Sequence, residues 1–262
     1  MNSLVVADLL PALRKLALAA GEVVLHYYRQ GTEIITKADG SPVTEADRAA
    51  EALILPELRH LLPGVPIIAE EAAAAGDVPE VGRGRFWLVD PLDGTREFIS
   101  RNGEFTVNIA LIEAGRAVAG VVLAPVTGDL YAGAVGVGAF LARTGDPDRL
   151  IAVRTPPADG WIAVGSRSHG DRAAEDRYLA PYPIRERRSR GSSLKFCLVA
   201  EGVADIYPRF GPTCEWDTAA GHAVLTAAGG RIETLEGEPL TYGKPGFLNP
   251  HFIAYGAASA AA

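Results

Sequence analysis

Asp90-Pro91-Leu92-Asp93-Gly94-Thr95 follows the apolar run Phe86-Trp87-Leu88-Val89 and puts two carboxylates three residues apart at the end of a predicted strand. Glycine at position 94 lets the backbone approach a ligand closely, and a helix that begins at Thr95 would turn its free N–H groups toward an anion. The two carboxylates, the Leu92 carbonyl and the threonine hydroxyl are oxygen donors, which favour Mg²⁺, Mn²⁺ or Ca²⁺ over zinc. Taken alone, the motif also fits an ordinary strand-to-helix turn in which an aspartate caps the helix.

Other acidic positions fit the same chemistry. Glu70-Glu71 directly follows the predicted buried strand 65–69, at the carboxyl end where ligand clefts form in α/β sheets. Asp217 stands just before a predicted helix, and Asp47 lies three residues after Thr44, in a capping-box-like position at the start of another helix. For both aspartates the competing interpretation is a helix cap alone.

Apolar periodicity predicts two N-terminal helices, then a strand-rich stretch, and then a C-terminal part in which strands and helices alternate. Helices are expected over 4–29, from Thr44 onward, and over 171–179, 192–201 and 218–228; strands are expected over 65–69, 86–89, 105–112, 117–124, 129–134, 161–165, 184–190, 204–207, 231–233 and 252–254. Residues 72–84 are predicted to form a loop. The alternation indicates a mixed or parallel sheet covered by helices. A change in composition over 144–159 predicts an N-terminal α+β lobe at 1–145 and a C-terminal α/β lobe at 146–262.

Composition excludes several classes of protein. A formal net charge of −7 argues against a nucleic-acid polymer as the main partner, because phosphate backbones select basic surfaces. No stretch reaches the ~18 consecutive apolar residues of a membrane span. Asp8, Arg14 and Lys15 interrupt the N-terminal apolar residues where a signal peptide needs an uncharged core. Two cysteines, Cys197 and Cys214, cannot build a disulfide framework, so a cytoplasmic location is expected.

The order of the acidic motifs resembles a known family. Glu70-Glu71, Asp90-Pro91-Leu92-Asp93-Gly94-Thr95 and Trp216-Asp217-Thr218-Ala219-Ala220 are similar to the signature of the inositol monophosphatase superfamily of Mg²⁺-dependent, Li⁺-sensitive phosphatases. Further segments resemble its CysQ-type 3′(2′),5′-bisphosphate nucleotidases, and together they span about residues 15 to 254. These segments are 37–44, 101–112, 166–169, 191–197 and 207–213.

The resemblance implies a layered α/β/α/β/α sandwich, as in inositol monophosphatase and fructose-1,6-bisphosphatase, with metals bound between the lobes. It assigns Glu70, Asp90, the Leu92 carbonyl and Asp93 to the first metals and Asp217 to a further site. Two or three Mg²⁺ per active site are expected, with Li⁺ as an inhibitor. Such metals can activate a water and stabilise both oxygens of an in-line displacement.

The resemblance also implies catalytic and substrate-binding roles. Asp47 would accept a hydrogen bond from Thr95, whose hydroxyl orients the attacking water with help from Glu70. The N–H groups of Gly94 and Thr95 would hold the phosphate that is cleaved, close to Asp217. The remaining substrate contacts would be His169 beside the nucleoside, and Ser192, Ser193, Lys195 and Arg209 at the second phosphate. Lys195 also fits a solvated helix residue, and His169 a histidine at a loop tip.

The expected reaction is removal of the 3′-phosphate of adenosine 3′,5′-bisphosphate to give AMP and phosphate, with the sulfated analogue PAPS as a further candidate substrate. This reaction belongs to sulfate assimilation. An inositol-phosphate or sugar-phosphate phosphatase is the first alternative, and a non-catalytic anion- or Li⁺-sensing protein is the second. The partner is expected to be a small bisphosphonucleotide. The oligomeric state, monomer or homodimer, and a peripheral contact with the inner face of the cell membrane are left open.

Overall fold

The computed structural model describes residues 3–37, 40, 42–167 and 170–257. Its helices are α1 (Ser3–Gln30), α2 (Glu45–Leu61), α3 (Glu70–Ala74), α4 (Thr95–Ile99), α5 (Arg172–Leu179), α6 (Leu194–Ala200) and α7 (Glu215–Ala227). Its strands are β1 (Ile34–Thr36), β2 (Pro42–Thr44), β3 (Ile67–Ala69), β4 (Arg85–Asp93), β5 (Thr106–Glu113), β6 (Arg116–Ala124), β7 (Asp129–Ala134), β8 (Gly138–Ala142), β9 (Arg149–Ile151), β10 (Trp161–Gly165), β11 (Ile184–Ser189), β12 (Ile206–Arg209), β13 (Arg231–Thr234) and β14 (Phe252–Tyr255).

The first sheet has seven strands in the order β3-β4-β5-β6-β7-β8-β9. Only the β3–β4 pair is parallel, and the strands from β4 onward form an antiparallel meander. Val107, Ile109 and Leu111 pack on the side of α1 and α2, whereas Ala110 and Ile112 face α7. Because helices cover both faces, β5 is buried almost throughout, and its residues 109–112 are continuously apolar rather than alternating.

The second sheet has five strands in the order β11-β10-β12-β14-β13. The pairs of β10 with β11 and β12 are parallel, and β14 pairs antiparallel with β12 and β13. A mixed sheet with covering helices was predicted and is confirmed. The arginine-rich stretch 184–190 contains β11, which lies at the edge of this sheet, where charged side chains are tolerated on both faces.

The layers follow the order α1/α2, seven-stranded sheet, α6/α7, five-stranded sheet, α5. The predicted α/β/α/β/α sandwich is therefore confirmed. The change from one sheet to the other falls between Ile151 and Trp161. The division into lobes at residues 145 and 146 stays a prediction, since α7 of the second half packs on the first sheet.

Two glycines bring α7 very close to the first sheet. A Cβ atom at Gly120 on β6 would lie 2.7 Å from the carbonyl oxygen of Ala220, and one at Gly133 on β7 would lie 2.8 Å from the Cα atom of Val224. Neither distance is compatible with a side chain. Absence of a side chain at these positions therefore fixes the depth of α7, which carries Asp217.

Element bounds differ from the sequence predictions at several places, three of which carry acidic residues of the predicted site. β4 runs to Asp93, beyond the predicted strand 86–89, and α3 begins at Glu70 and extends into the predicted loop 72–84. α7 begins at Glu215, so Asp217 lies in its first turn rather than before it. At β4 and α7 an aspartate of the element accepts a nearby backbone N–H group, and at α3 Glu51 of α2 accepts two of them. Apolar periodicity does not register such hydrogen bonds.

Candidate active site

The 90–95 motif begins at the carboxyl end of β4, where the strand is irregular. Pairing with β5 shifts register between Asp90 and Asp93, and Oδ1 of Asp90 accepts the N–H of Leu92 at 3.0 Å. Gly94 then adopts a φ of 92°, in the left-handed region that favours glycine, and α4 begins at Thr95. The predicted glycine turn and the helix at Thr95 are confirmed, and Asp93 and Thr95 both line the cavity described below.

The start of α2 holds Asp47 rigidly. Oδ2 of Asp47 accepts the N–H of Thr44 at 2.8 Å and the Thr44 hydroxyl at 2.7 Å, which confirms the predicted capping box. Oδ1 accepts the hydroxyl of Thr95 at 3.2 Å. Asp47 is only 1% exposed, and burial raises the pKa of its carboxyl despite the hydrogen bonds from Thr44. The Asp47 side chain thus takes part in the cap of α2 and also accepts the hydroxyl of Thr95.

Glu70 begins α3, where three neighbouring groups organise it. Nζ of Lys37 lies 2.8 Å from Oε1 of Glu70 and 2.6 Å from Oε1 of Glu71. Glu51 of α2 accepts the N–H groups of Glu71 and Ala72, each at 2.9 Å, and so supplies the cap that Ala69 lacks. Burial raises the pKa of Glu51 to about 7.

Asp217 comes from the second half of the chain on α7. Asp217 is the third residue of α7, and its Oδ2 accepts the N–H of the N-cap residue Cys214 at 2.8 Å. The aspartate therefore helps to cap its own helix. The neighbouring Glu215 is fully buried and has a structural role. It accepts the N–H groups of Gly243 and Lys244 at 2.7 and 2.9 Å and forms an ion pair with Nζ of Lys244 at 2.6 Å.

One cavity of about 270 Å³ joins these elements. Its lining includes the acidic residues Glu70, Asp93 and Asp217, together with Gly94, Thr95, Ser192, Lys195 and Arg209. Lys195 and Arg209 are 5% and 8% exposed. Nζ of Lys195 donates to the carbonyls of Ser192 at 2.5 Å and Arg190 at 3.3 Å, and a guanidinium nitrogen of Arg209 donates to the Pro212 carbonyl at 3.0 Å. Carboxylates and cations therefore share a single cavity.

The carboxylates raise one another's pKa values. Burial raises the pKa of Asp90 and of Asp217 well above the usual range, and the charges of Glu70 and Asp93 act in the same direction. Burial also raises the pKa of Glu70, against the attraction of Lys37. On the opposite side, burial lowers the pKa of Lys195 to about 8. Concentrated negative charge with raised pKa values is typical of a site that a cation would stabilise.

Comparison with known proteins bears on the identity of this site. A model of the Inositol monophosphatase family matches residues 6–261. The chain belongs to the inositol monophosphatase family. A relative from Escherichia coli (strain K12), the 3′(2′),5′-bisphosphate nucleotidase CysQ, is 49% identical over 244 residues, which cover 91% of this chain and 96% of that protein. The protein of the same name from Buchnera aphidicola is 39% identical over 254 residues, or 94% of this chain and 93% of that one.

Solved structures of the inositol monophosphatase family share the fold. CysQ from Bacteroides thetaiotaomicron is 39% identical, with a TM-score of 0.78 and 98% of each chain covered. An inositol monophosphatase from Anabaena is 28% identical, with a TM-score of 0.76 and coverage of 96% of this chain and 91% of that one.

The inositol monophosphatase family consists of metal-dependent phosphatases. The carboxylate ligands available here fit a metal ion that prefers oxygen donors. Glu70, Asp93 and Asp217 line the cavity. Asp90 is buried, and the negative charges of these three carboxylates help to raise the pKa of its carboxyl. Within the described ranges, no three His, Cys, Asp or Glu side chains are gathered closely enough to enclose an ion. Lys37 instead neutralises Glu70, so a metal would displace or join an ammonium group at this carboxylate.

The structure brings together most residues that the sequence singled out. Asp47, Glu70, Asp90, Asp93, Gly94, Thr95, Ser192, Lys195, Arg209 and Asp217 line the cavity or contact its lining, and Ser193 lies behind it. The Leu92 carbonyl accepts the Thr95 hydroxyl at 3.4 Å. His169 lies outside the described residues. The roles assigned to these side chains stay predictions.

Sequence reasoning missed several polar residues behind the cavity. Thr106 and Asn108 contact Asp93, and Glu51 caps the segment that carries Glu70. Thr106 and Asn108 could have been found, because two polar residues at alternate positions in a buried strand must face one side and need partners there. Nothing local in the sequence marks Glu51.

No helix within the described part of the chain is both long and apolar enough to cross a membrane.

Proposed function

We propose that this chain is a 3′(2′),5′-bisphosphate nucleotidase that removes the 3′-phosphate of adenosine 3′,5′-bisphosphate. The Escherichia coli relative that carries the nucleotidase name is 49% identical over nearly its whole length, whereas the inositol monophosphatase from Anabaena is 28% identical. The products would be AMP and inorganic phosphate. A place in sulfate assimilation and activity on PAPS follow from the same proposal.

The observation that carries the proposal is that acidic and cationic side chains line the same cavity. Glu70, Asp93 and Asp217 suit the metal-bound phosphate that is cleaved, and Lys195 and Arg209 suit a second phosphate that is retained. Both cations are largely buried, and a low-dielectric cavity strengthens their attraction for an anionic group of the substrate. A substrate with a single phosphate would leave these two cations without a comparable role.

Catalysis would depend on the Asp47–Thr95 pair and Glu70. Because the Thr95 hydroxyl donates to Asp47, its oxygen keeps lone pairs that can accept a hydrogen bond from the attacking water. The Glu70 carboxylate would orient the same water and take up its proton. The N–H groups of Gly94 and Thr95 would hold oxygens of the phosphate that is cleaved.

Glu70, Asp90, the Leu92 carbonyl, Asp93 and Asp217 would hold Mg²⁺, two or three ions per active site. When bound, the metal lowers the pKa of a coordinated water and polarises the phosphate. Li⁺ would inhibit. The other proposed partner is the bisphosphonucleotide itself; no nucleic-acid polymer is expected, the chain would act as a monomer or a homodimer, and the cytoplasm is its proposed location.

The test is phosphate release with Mg²⁺ from adenosine 3′,5′-bisphosphate and from inositol 1-phosphate, measured side by side with and without Li⁺. A large preference for the bisphosphate that Li⁺ abolishes is the expected result. A preference for inositol 1-phosphate would leave the acidic residues as the metal site but refute the assignment of Lys195 and Arg209.

A further inference from the structure

Ser192 and Ser193 lie in the turn before α6 and face two buried polar residues of the first sheet. Thr106 and Asn108 are two positions apart on β5, and each is 0% exposed. They sit opposite Asp93 and Asp90 in the pairing of β5 with β4. The two serines therefore meet the first sheet at the strand positions next to the acidic motif.

The first set of contacts leads from Thr106 through Ser192 to Asp93. The Thr106 and Ser192 hydroxyl oxygens lie 2.7 Å apart, and Ser192 reaches Oδ2 of Asp93 at 2.8 Å and its carbonyl at 2.9 Å. Thr106 itself is 3.5 Å from Oδ2. Since each hydroxyl has one proton, the short contacts are satisfied when Thr106 donates to Ser192 and Ser192 donates to Asp93.

A parallel set leads from Asn108 through Ser193 to α7. One amide proton of Asn108 points to Oδ2 of Asp93 at 3.3 Å and the other to the Ser193 hydroxyl at 2.9 Å. Ser193 in turn donates to the carbonyl of Asp217 at 2.6 Å. Asn108 and Ser193 thus link the carboxylate of Asp93 to the backbone of Asp217, which reaches the cavity from the other half of the chain.

These contacts favour one orientation of Asp93. Ser192, Asn108 and Thr106 all approach Oδ2, and none of the three approaches Oδ1. The Ser192 backbone has a φ of 56°, in the left-handed region that serine rarely adopts. Such a conformation persists where surrounding contacts hold it, here the bonds to Asp93.

We propose that Ser192, with Thr106 behind it, is a positioning residue that orients Asp93 toward a bound metal, and that its hydroxyl is not a ligand of the substrate's second phosphate. This inference rests on the proposed metal-dependent function and replaces the phosphate-binding role that the sequence suggested for Ser192. Lys195 and Arg209 keep that role, because both carry a positive charge and line the cavity.

The test measures Mn²⁺ binding by isothermal titration calorimetry in the absence of nucleotide. Ser192→Ala and Thr106→Val should each weaken Mn²⁺ binding by about tenfold or more, the usual effect of removing a partner of a metal ligand. Thr106→Ser keeps the hydroxyl and should restore binding to within about twofold of the unaltered chain. Ser189→Ala, at an exposed position three residues before Ser192, is the matched control and should change nothing.

Thr106→Val decides between the two roles, because Thr106 is fully buried and cannot touch a substrate phosphate. Unchanged Mn²⁺ binding in Ser192→Ala and Thr106→Val, with a raised KM for adenosine 3′,5′-bisphosphate in Ser192→Ala at saturating Mg²⁺, would overturn the proposal. Weakened Mn²⁺ binding with an unchanged KM at saturating Mg²⁺ would support it. Because the titration contains no nucleotide, its outcome is independent of whether the proposed substrate is correct.

Discussion

The hydroxyl of Thr95 donates to Oδ1 of Asp47 across 3.2 Å, although the two residues stand 48 positions apart in the chain. Asp47 cannot turn away, since its other oxygen accepts both the N–H and the hydroxyl of Thr44. The Leu92 carbonyl is a second acceptor at 3.4 Å, and the shorter contact favours donation of the Thr95 proton to Asp47. This pair connects a helix cap in one element with the proposed water-orienting group in another.

Thr95→Val should lower kcat for the bisphosphate by about 10²-fold or more with little change in KM, because it removes the oxygen that orients the attacking water while keeping the shape of the side chain. Steady-state kinetics at saturating Mg²⁺ measure this effect. Ser100→Ala, at the exposed end of the same short helix, is the control. A Thr95→Val enzyme with kcat within about twofold of the unaltered chain would remove Thr95 from the mechanism.

Lys37→Met should lower the melting temperature without metal and enlarge the rise in melting temperature that Mg²⁺ produces. The ammonium group neutralises Glu70 and Glu71 at 2.8 and 2.6 Å, and its removal leaves two largely buried carboxylates uncompensated. A loss of about 1–2 kcal/mol corresponds to a fall of about 2–8 °C. Differential scanning calorimetry with and without Mg²⁺ measures both effects, with the exposed Lys15→Met as control. Equal stabilisation by Mg²⁺ in both chains would show that Lys37 and the metal do not compete.

Binding of the bisphosphate should weaken above pH 8. Burial lowers the pKa of Lys195 to about 8, so the charged form is present below that pH and is lost as the pH rises through it. KM for adenosine 3′,5′-bisphosphate should therefore increase between pH 7 and 9, and Lys195→Arg, which stays protonated, should flatten the curve. A rise of the same size in Lys195→Arg would assign the pH effect to another group.

Gly120→Ala should destabilise the fold by about 1–3 kcal/mol and weaken metal binding, because the new Cβ atom would lie 2.7 Å from the Ala220 carbonyl and push away the helix that carries Asp217. Thermal unfolding and a Mn²⁺ titration provide the two measurements. Gly84→Ala is a suitable control, since its Cβ atom has no neighbour nearer than 4.0 Å. Normal metal binding in Gly120→Ala would show that the position of α7 is not critical for Asp217.

The sequence predicted most helices and strands and the cap because these depend on local signals, whereas the order of the layers came from the family resemblance. Apolar spacing marks helices and strands, and Thr44 with Asp47 forms a capping box within four residues. The turn at Gly94 was also predictable, because glycine adopts a positive φ more readily than other residues. These features need no knowledge of distant partners.

Other parts of the site could not be read from the sequence, since they depend on which distant groups meet. Glu215, for example, accepts the N–H groups of residues 243 and 244, which lie 28 and 29 positions away. Ser192 looked like a phosphate ligand at a helix start, but its hydroxyl contacts Asp93, 99 positions away. A carboxylate or hydroxyl has several possible partners, and only the folded chain selects one.

The central claim is that one cavity holds two phosphates, one at the acidic residues and one at Lys195 and Arg209. The most direct measurement compares kcat/KM for adenosine 3′,5′-bisphosphate with kcat/KM for adenosine 3′-phosphate, which lacks only the second phosphate. We predict a preference of about 100-fold or more for the bisphosphate, since hydrogen bonds between charged groups contribute roughly 1.5–3 kcal/mol each, and a much smaller preference in Lys195→Met. Equal kcat/KM values for the two nucleotides in the unaltered chain would contradict the account.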